Sequence, residues 1–309
     1  MTGRAADPVG TPLMQQYREI KSRHRDAILF FRMGDFYEMF FDDAQLAARI
    51  LNITLTARGD GVPLAGVPVK AAADYLRQLI AAGHRVAICE QVEDPKLAKG
   101  IVRREVIETI TPGAVLDENC LPGTRNNFLV AVASGAESSA GGLAAIDLST
   151  GEFLLETIAS SELAEAVGRF SPAEVVFPAE TELALEDGVL RTPRDKWEFD
   201  ADLARTELAR RFSLASLDGL GLGPEDQTAV GAAGALLRYI AELQPSGLPH
   251  LRRPAVRRSA RHLWIDEMTR RNLELVEPLR AGARGTTLLE VLDTTVTPMG
   301  GRLLRQWLL

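Results

Sequence analysis

Apolar positions recur along this chain with two periods, and the switches between them mark its elements. After Pro12, the residues Leu13, Tyr17 and Ile20 fall at helical spacing and predict a helix over residues 12–23, with Gln15, Gln16, Arg18 and Lys21 on a solvated polar side. Residues 27–33 are apolar except for Arg32 and short enough for a buried strand, and Gly34-Asp35 breaks the run. From Phe36 the apolar positions continue through Ala44, Ala47, Ala48 and Leu51, which predicts a helix with Asp35 as its N-cap. Residues 52–58 alternate as a strand, Gly59-Asp60-Gly61 reads as a turn and residues 63–68 as a tight loop. A helix over residues 71–82 stopped by Gly83, then strands over 85–91 and 102–110, complete a compact domain ending near residue 116.

Residues 117–126, polar and broken by Pro122-Gly123, read as a linker. Strands over 128–133, 143–148 and 153–158 then follow one another as an antiparallel meander. A helix opening at Ser161-Glu162 and ending near Phe170, a strand over 174–177, and helices over 202–212 and 226–243 complete a ribonuclease-H-like order. The Pro- and Arg-rich residues 244–258 read as a linker whose Arg252, Arg253, Arg257 and Arg258 could meet phosphate but are better accounted for as solvated. Beyond it come a short strand over 263–267, a helix over 269–279 and one or two helices over 286–309, jointed at residues 297–300. The last helix reaches Leu309 with no stop signal, as a truncated helical domain would.

Composition bounds the class. With 309 residues and 46% hydrophobic content, the chain can bury two or three cores, since domains commonly run ~100 to 200 residues. No apolar run reaches the ~18 residues of a membrane span, and residues 1–10 lack the apolar middle of a signal peptide, so a cytoplasmic location with no membrane partner is expected. Cys89 and Cys120 lie apart in the pattern, and His24, His84, His250 and His262 show no ligand spacing, so no metal site is expected. The net charge of −7 divides unevenly. Residues 1–115 carry 15 basic and 14 acidic side chains, residues 116–250 carry 9 and 22, and residues 251–309 carry 11 and 6. A phosphate-binding surface therefore belongs to the first part or the last; the acidic middle suits protein contacts, or is simply soluble.

Residues 30–43 hold six of the eighteen aromatic residues. On a helix, Phe36, Tyr37, Phe40 and Phe41 spread over an arc of roughly 140° at about 100° per residue, wider than a stripe of about 100° buries, so one ring should leave the core. Phe36, first after the break and with Glu38 two positions on, is the candidate, and an apolar wedge beside a carboxylate suits a base step that has been pried open. Asp35 and Glu38 also fit a capping box, with Phe36 packed beneath the neighbouring sheet, and periodicity alone favours that reading.

The run Arg32-Met33-Gly34-Asp35-Phe36-Tyr37-Glu38-Met39-Phe40 resembles the Phe-x-Glu mismatch-reading motif of the bacterial MutS family of DNA mismatch repair proteins. Residues 11–17, 63–68, 86–91, 111–113, 269–274 and 292–302 resemble further family landmarks, in family order. The resemblance implies an α/β and α+β multidomain fold: a mismatch-recognition domain over 1–116, a linker over 117–126, a ribonuclease-H-like connector over 127–250 and the start of a helical lever domain over 251–309. It implies binding of mispaired or unpaired bases in duplex DNA, with Phe36 inserted from the minor groove, Glu38 bonding the base and the DNA kinked. Met33 and Asp35 would lie near the backbone turn, and Arg58 and Lys70 would anchor phosphates. It also implies a MutL-type partner on the connector, homodimers, and ATP with Mg²⁺ in a nucleotide-binding domain of full-length members. No Gly-x-x-x-x-Gly-Lys-[Ser/Thr] loop occurs in this chain, so no cofactor and no enzymatic activity are expected of it alone.

Two rival readings come from the middle part. Asp147 in the second meander strand could serve a two-metal nuclease, although an Asp before Ser149-Thr150-Gly151 is also what a turn requires. Alternatively, the acidic part is purely a protein-interaction module.

Overall fold

The computed structural model describes residues 11–59, 61–93, 100–116, 125–134, 139–185, 188–258, 265, 267–280, 283 and 285–309. The chain forms two compact units, Met1–Pro112 with Ala241–Gly247, and Gly113–Ile240 with Leu248–Leu309.

In the first unit the order is α1 (Pro12–Arg23), β1 (Ala27–Met33), β2 (Phe36–Phe40), α2 (Phe41–Leu51), β3 (Thr56–Arg58), β4 (Val62–Pro68), α3 (Ala72–Ala81), β5 (Arg85–Gln91) and β6 (Arg104–Ile110). They build one six-stranded sheet in the order β3-β4-β2-β1-β5-β6, with only the β1–β5 pair parallel. Thr11 caps α1, and Met14, Tyr17 and Ile20 pack on Leu29, Phe31, Phe40 and Cys89 of the sheet. Tyr17 meets Phe31 and Phe40 edge-on at centroid distances of 5.5 and 4.9 Å, arrangements worth about 0.5–1.5 kcal/mol each beyond area burial. Asp43, buried at the start of α2, accepts from the Tyr17 hydroxyl at 3.3 Å, Lys21 Nζ at 2.8 Å and the Leu29 amide at 3.0 Å. Lys21 is thus not the solvated residue its polar stripe implied; it ties α1 to α2 and also donates to the Ala27 carbonyl. Residues 63–68, expected as a loop, belong to the strand β4.

In the second unit come β7 (Phe128–Ser134), β8 (Ala140–Asp147), β9 (Glu152–Ala159), α4 (Leu163–Phe170), β10 (Glu174–Pro178), β11 (Leu190–Arg194), α5 (Ala201–Phe212), α6 (Gln227–Leu243), β12 (Ala255–Arg257), α7 (Glu267–Asn272), α8 (Leu288–Leu292) and α9 (Pro298–Leu308). The sheet order is β11-β10-β7-β8-β9-β12, an antiparallel β7-β8-β9 meander with parallel strands added on both flanks. The first five of these strands have the ribonuclease-H-like order expected. Gly142 admits α6 against the sheet, since a Cβ there would lie 2.0 Å from the Thr228 carbonyl carbon.

Residues 244–258 are not a solvated linker. Residues 255–257 pair in parallel with β9, Arg252 donates its amide to Gly151, and Arg258 forks onto Asp226 at 2.6 and 2.8 Å. The helix expected over 269–279 ends at Asn272, and Glu274 takes a φ of 47°. Of the strand expected over 263–267, residues 263, 264 and 266 lie outside the described residues, and Glu267 opens α7; most of the linker expected over 117–126, and Cys120, also lie outside them.

Asp147 is buried and accepts from Asn126 Nδ2 at 2.8 Å, the Asn127 amide at 3.3 Å, and the Ser149 amide and hydroxyl at 2.9 and 2.7 Å. Its oxygens close the turn that an Asp before Ser149-Thr150-Gly151 was expected to make. Among the described residues no group of three or more His, Cys, Asp and Glu could hold a metal ion, and no helix is long and apolar enough to cross a membrane.

Candidate nucleic-acid interface

β1 and β2 form a hairpin closed by Gly34-Asp35, with Met33 opposite Phe36. Gly34 takes a φ of 60°, which the first central position of such a turn requires and a side chain resists. Asp35 is exposed, and its carbonyl accepts from the Val69 amide at 2.9 Å. It is a turn residue and not an N-cap: α2 starts only at Phe41, with no side-chain cap, and Glu38 lies in mid-strand, so no capping box forms. The adjacent aromatic pair therefore sits on a pleat, where neighbours face opposite sides. Phe36 is 47% exposed and Tyr37 only 7%. The outward ring expected at Phe36 is present, for a different reason from the helical one.

Tyr37 holds that register. Its ring stacks on Phe30 at 5.5 Å, its hydroxyl donates to Glu90 Oε1, and the Arg32 guanidinium lies 5.6 Å over it while pairing with Glu90 at 3.1 Å. Burial, then the Glu90 carboxylate, pushes the Tyr37 hydroxyl up to about 12. A one-residue slip would turn Tyr37 and Met39 outward and bury Glu38, costing about 3–6 kcal/mol for the two apolar side chains alone.

Phe36 and Glu38 share their face with Pro68 and Gly66 of β4, their cross-strand partners. A Cβ on Gly66 would lie 3.8 Å from both the Phe36 ring and Glu38 Cγ, so the bare backbone keeps that face low beside the ring. Glu38 is partly buried, its Oε2 meets no hydrogen-bond partner among the described residues, and the nearest cation, Arg58 Nη1, stands at 3.7 Å. Burial pushes its carboxyl above the usual range, against the pull of Arg58 and Arg104. The group is placed to donate when neutral and to accept when ionised.

Arg58, expected as a phosphate anchor, faces Glu38 with its side chain 43% exposed. Lys70 is exposed on the one-turn helix Val69–Ala71 that follows Pro68. Met33 lies opposite Phe36, partly buried. Sequence reasoning missed Arg104. Nearly buried at the start of β6, it donates to the Arg32 carbonyl at 2.7 Å, the Val102 carbonyl at 2.9 Å and Gln16 Oε1 at 3.2 Å, lies 3.6 Å from Met33 Sδ, and covers the Phe31 ring at 4.9 Å. Amid the charges of residues 103–105 it has no distinguishing signal in the sequence.

Residues 11–119 match the family description MutS domain I, residues 127–252 MutS domain II and residues 268–309 MutS domain III. The DNA mismatch repair protein MutS of Solibacter usitatus (strain Ellin6076) is 46% identical over 313 residues, an overlap of 97% of this chain and 36% of that relative. This chain thus spans well under half the length of the curated relative it matches. The three matched segments run in order and take in the hairpin, its sheet and the flanking meander. The chain belongs to the MutS family.

Proposed function

We propose that this chain is the mismatch-reading part of a DNA mismatch repair protein, and that Phe36 enters the minor groove of a duplex at a mispaired or unpaired base and kinks it. The observation that carries this reading is a half-exposed phenyl ring on a rigid hairpin, two positions from a carboxylate oxygen with no hydrogen-bond partner among the described residues. Opening a base step costs a few kcal/mol, and less where pairing is already defective, so a wedge indifferent to sequence selects for weakness. Stacking of the ring on the displaced base returns about 1–3 kcal/mol. Glu38 then bonds the base edge, donating to a purine nitrogen when protonated or accepting a ring N–H when ionised, which lets one residue serve several mispairs.

In this reading Arg58 holds Glu38 until the base arrives, and Lys70, with Asp35 and Met33 at the same end of the sheet, borders the duplex backbone. Family kinship supports a MutL-type partner for the acidic middle part, a homodimeric full-length protein and a cytoplasmic location. ATP and Mg²⁺ are assigned to parts of longer family members that this chain does not span, and no step here runs through them. The experiment is a competition titration of mismatched against paired duplex. Phe36→Ala is expected to remove the preference for the mismatch, whereas Glu38→Ala is expected to reorder the mispairs while leaving the salt dependence unchanged. An unaltered preference in Phe36→Ala contradicts the proposal.

A further inference from the structure

The second unit holds a cavity of about 90 Å³ whose apolar wall is the Phe128–Phe170 pair and whose other lining includes Arg125, Arg169, Arg257 and Arg305. The fold builds it from separate elements. Phe128 opens β7 and Phe170 closes α4, with their rings edge-on at 5.1 Å; Arg257 ends β12, and Arg305 lies on α9.

The charges there do not balance. Arg169 pairs with the buried Glu156 at 2.9 Å. A single carboxylate, Glu277, serves both Arg125 and Arg305, at 3.2 Å from each. Arg257 lies 5.8 Å over the Phe170 ring and has no ion-pair partner among the described residues. Four guanidiniums thus face two side-chain carboxylates, the end carboxylate of Leu309 apart, and Arg305 is only 7% exposed. Burial, then repulsion from Arg125, lowers the Arg305 pKa, with Glu277 opposing. Uncompensated positive charge held against a low-dielectric wall is costly unless an anion joins it.

We propose that this cavity binds a small dianionic oxyanion, best met by a phosphoryl group. A cavity of about 90 Å³ suits a group of that size. A phosphoryl group carries about −1.5 to −2 charges at neutral pH, which matches the excess, and its oxygens accept from guanidinium forks. The inference is independent of the DNA-reading proposal, because it uses only the second unit.

The test is calorimetric titration of the chain with inorganic phosphate against sodium chloride of equal ionic strength, repeated with adenosine monophosphate as a phosphomonoester. A few neutral residues added after Leu309, which also borders the cavity, remove the end carboxylate as a competitor. Saturable phosphate binding is expected, tightening as pH rises through about 7, where the dianion of inorganic phosphate forms, and through about 6 for the monophosphate. Arg257→Gln, which breaks no ion pair of the described residues, is expected to weaken it about tenfold or more, the loss of one charge-assisted contact. Competition by the monophosphate identifies a phosphomonoester as the source; inorganic phosphate binding alone identifies the free ion. No saturable heat beyond chloride, or unchanged affinity in Arg257→Gln, overturns the proposal.

Discussion

Arg104→Met should loosen the β1–β2 hairpin while leaving Phe36 and Glu38 themselves unsubstituted. The guanidinium makes three N–H···O contacts at 2.7, 2.9 and 3.2 Å, two of them to backbone carbonyls, and covers Phe31. Hydrogen bonds involving a charged group contribute about 1.5–3 kcal/mol each, and a methionine recovers only the apolar part of the packing. Because the lost contacts share one side chain and do not add, about 3 kcal/mol is a reasonable total. That figure corresponds to roughly a hundredfold loss of protection where the freed strand ends open locally. Hydrogen–deuterium exchange resolved to peptides is the assay. Faster exchange is expected in β1 and β2, with β7, β8 and β9 unchanged. Equal acceleration in both units, or protection of β1 and β2 as in the wild type, would refute the positioning role.

Other outcomes follow from the same structure. Because burial raises the Glu38 carboxyl, its share of stability is complete below the ordinary carboxylate range and is lost as pH rises through the raised pKa; Glu38→Gln should lack that decline in urea denaturation across pH. Burial also pushes Asp226 up, but the Arg258 fork, Thr157 and the Gly223 amide outweigh it and bring the carboxyl to about 2. Its share of stability, about 2 kcal/mol, is therefore present above the ordinary carboxylate range and lost as pH falls toward about 2; Arg258→Met should remove most of it at neutral pH and flatten the acid limb of the same denaturation series. Gly142→Val places a Cβ 2.0 Å from the α6 backbone and should cost about 3 kcal/mol or more in the melting of the second unit; a loss under about 1 kcal/mol would show that α6 can move aside.

Most elements of both units were legible because α1 shows one buried stripe at helical spacing, whereas β5 and the meander strands are short apolar runs: α1 and β5 match the expected bounds, and the meander differs by a few residues. Periodicity failed where the two periods overlap. Residues 36–40 carry apolar side chains at adjacent positions, which fit a helix stripe and a strand buried on both faces almost equally, and the helix continuing from Phe41 drew the boundary too early. Strands at sheet edges were missed for another reason. Residues 190–194 and 255–257 are short and carry charged side chains, so their backbone pairing leaves little trace in hydrophobicity. The candidate pair, Phe36 and Glu38, could be picked out in the sequence, but the residues packed around it could not: Tyr37, Glu90 and Arg104 act through contacts that include spans of 53 and 72 residues of sequence.

Stacking of the Phe36 ring on a displaced base would take that base out of the duplex stack, which 2-aminopurine placed at the mispair reports directly. Binding of the wild-type chain should change the 2-aminopurine fluorescence at a mispair and not at the same position in a paired duplex, and Phe36→Ala should abolish that change at saturating protein. The same fluorescence change from Phe36→Ala as from wild type would contradict the account, because something other than this ring would then be opening the step.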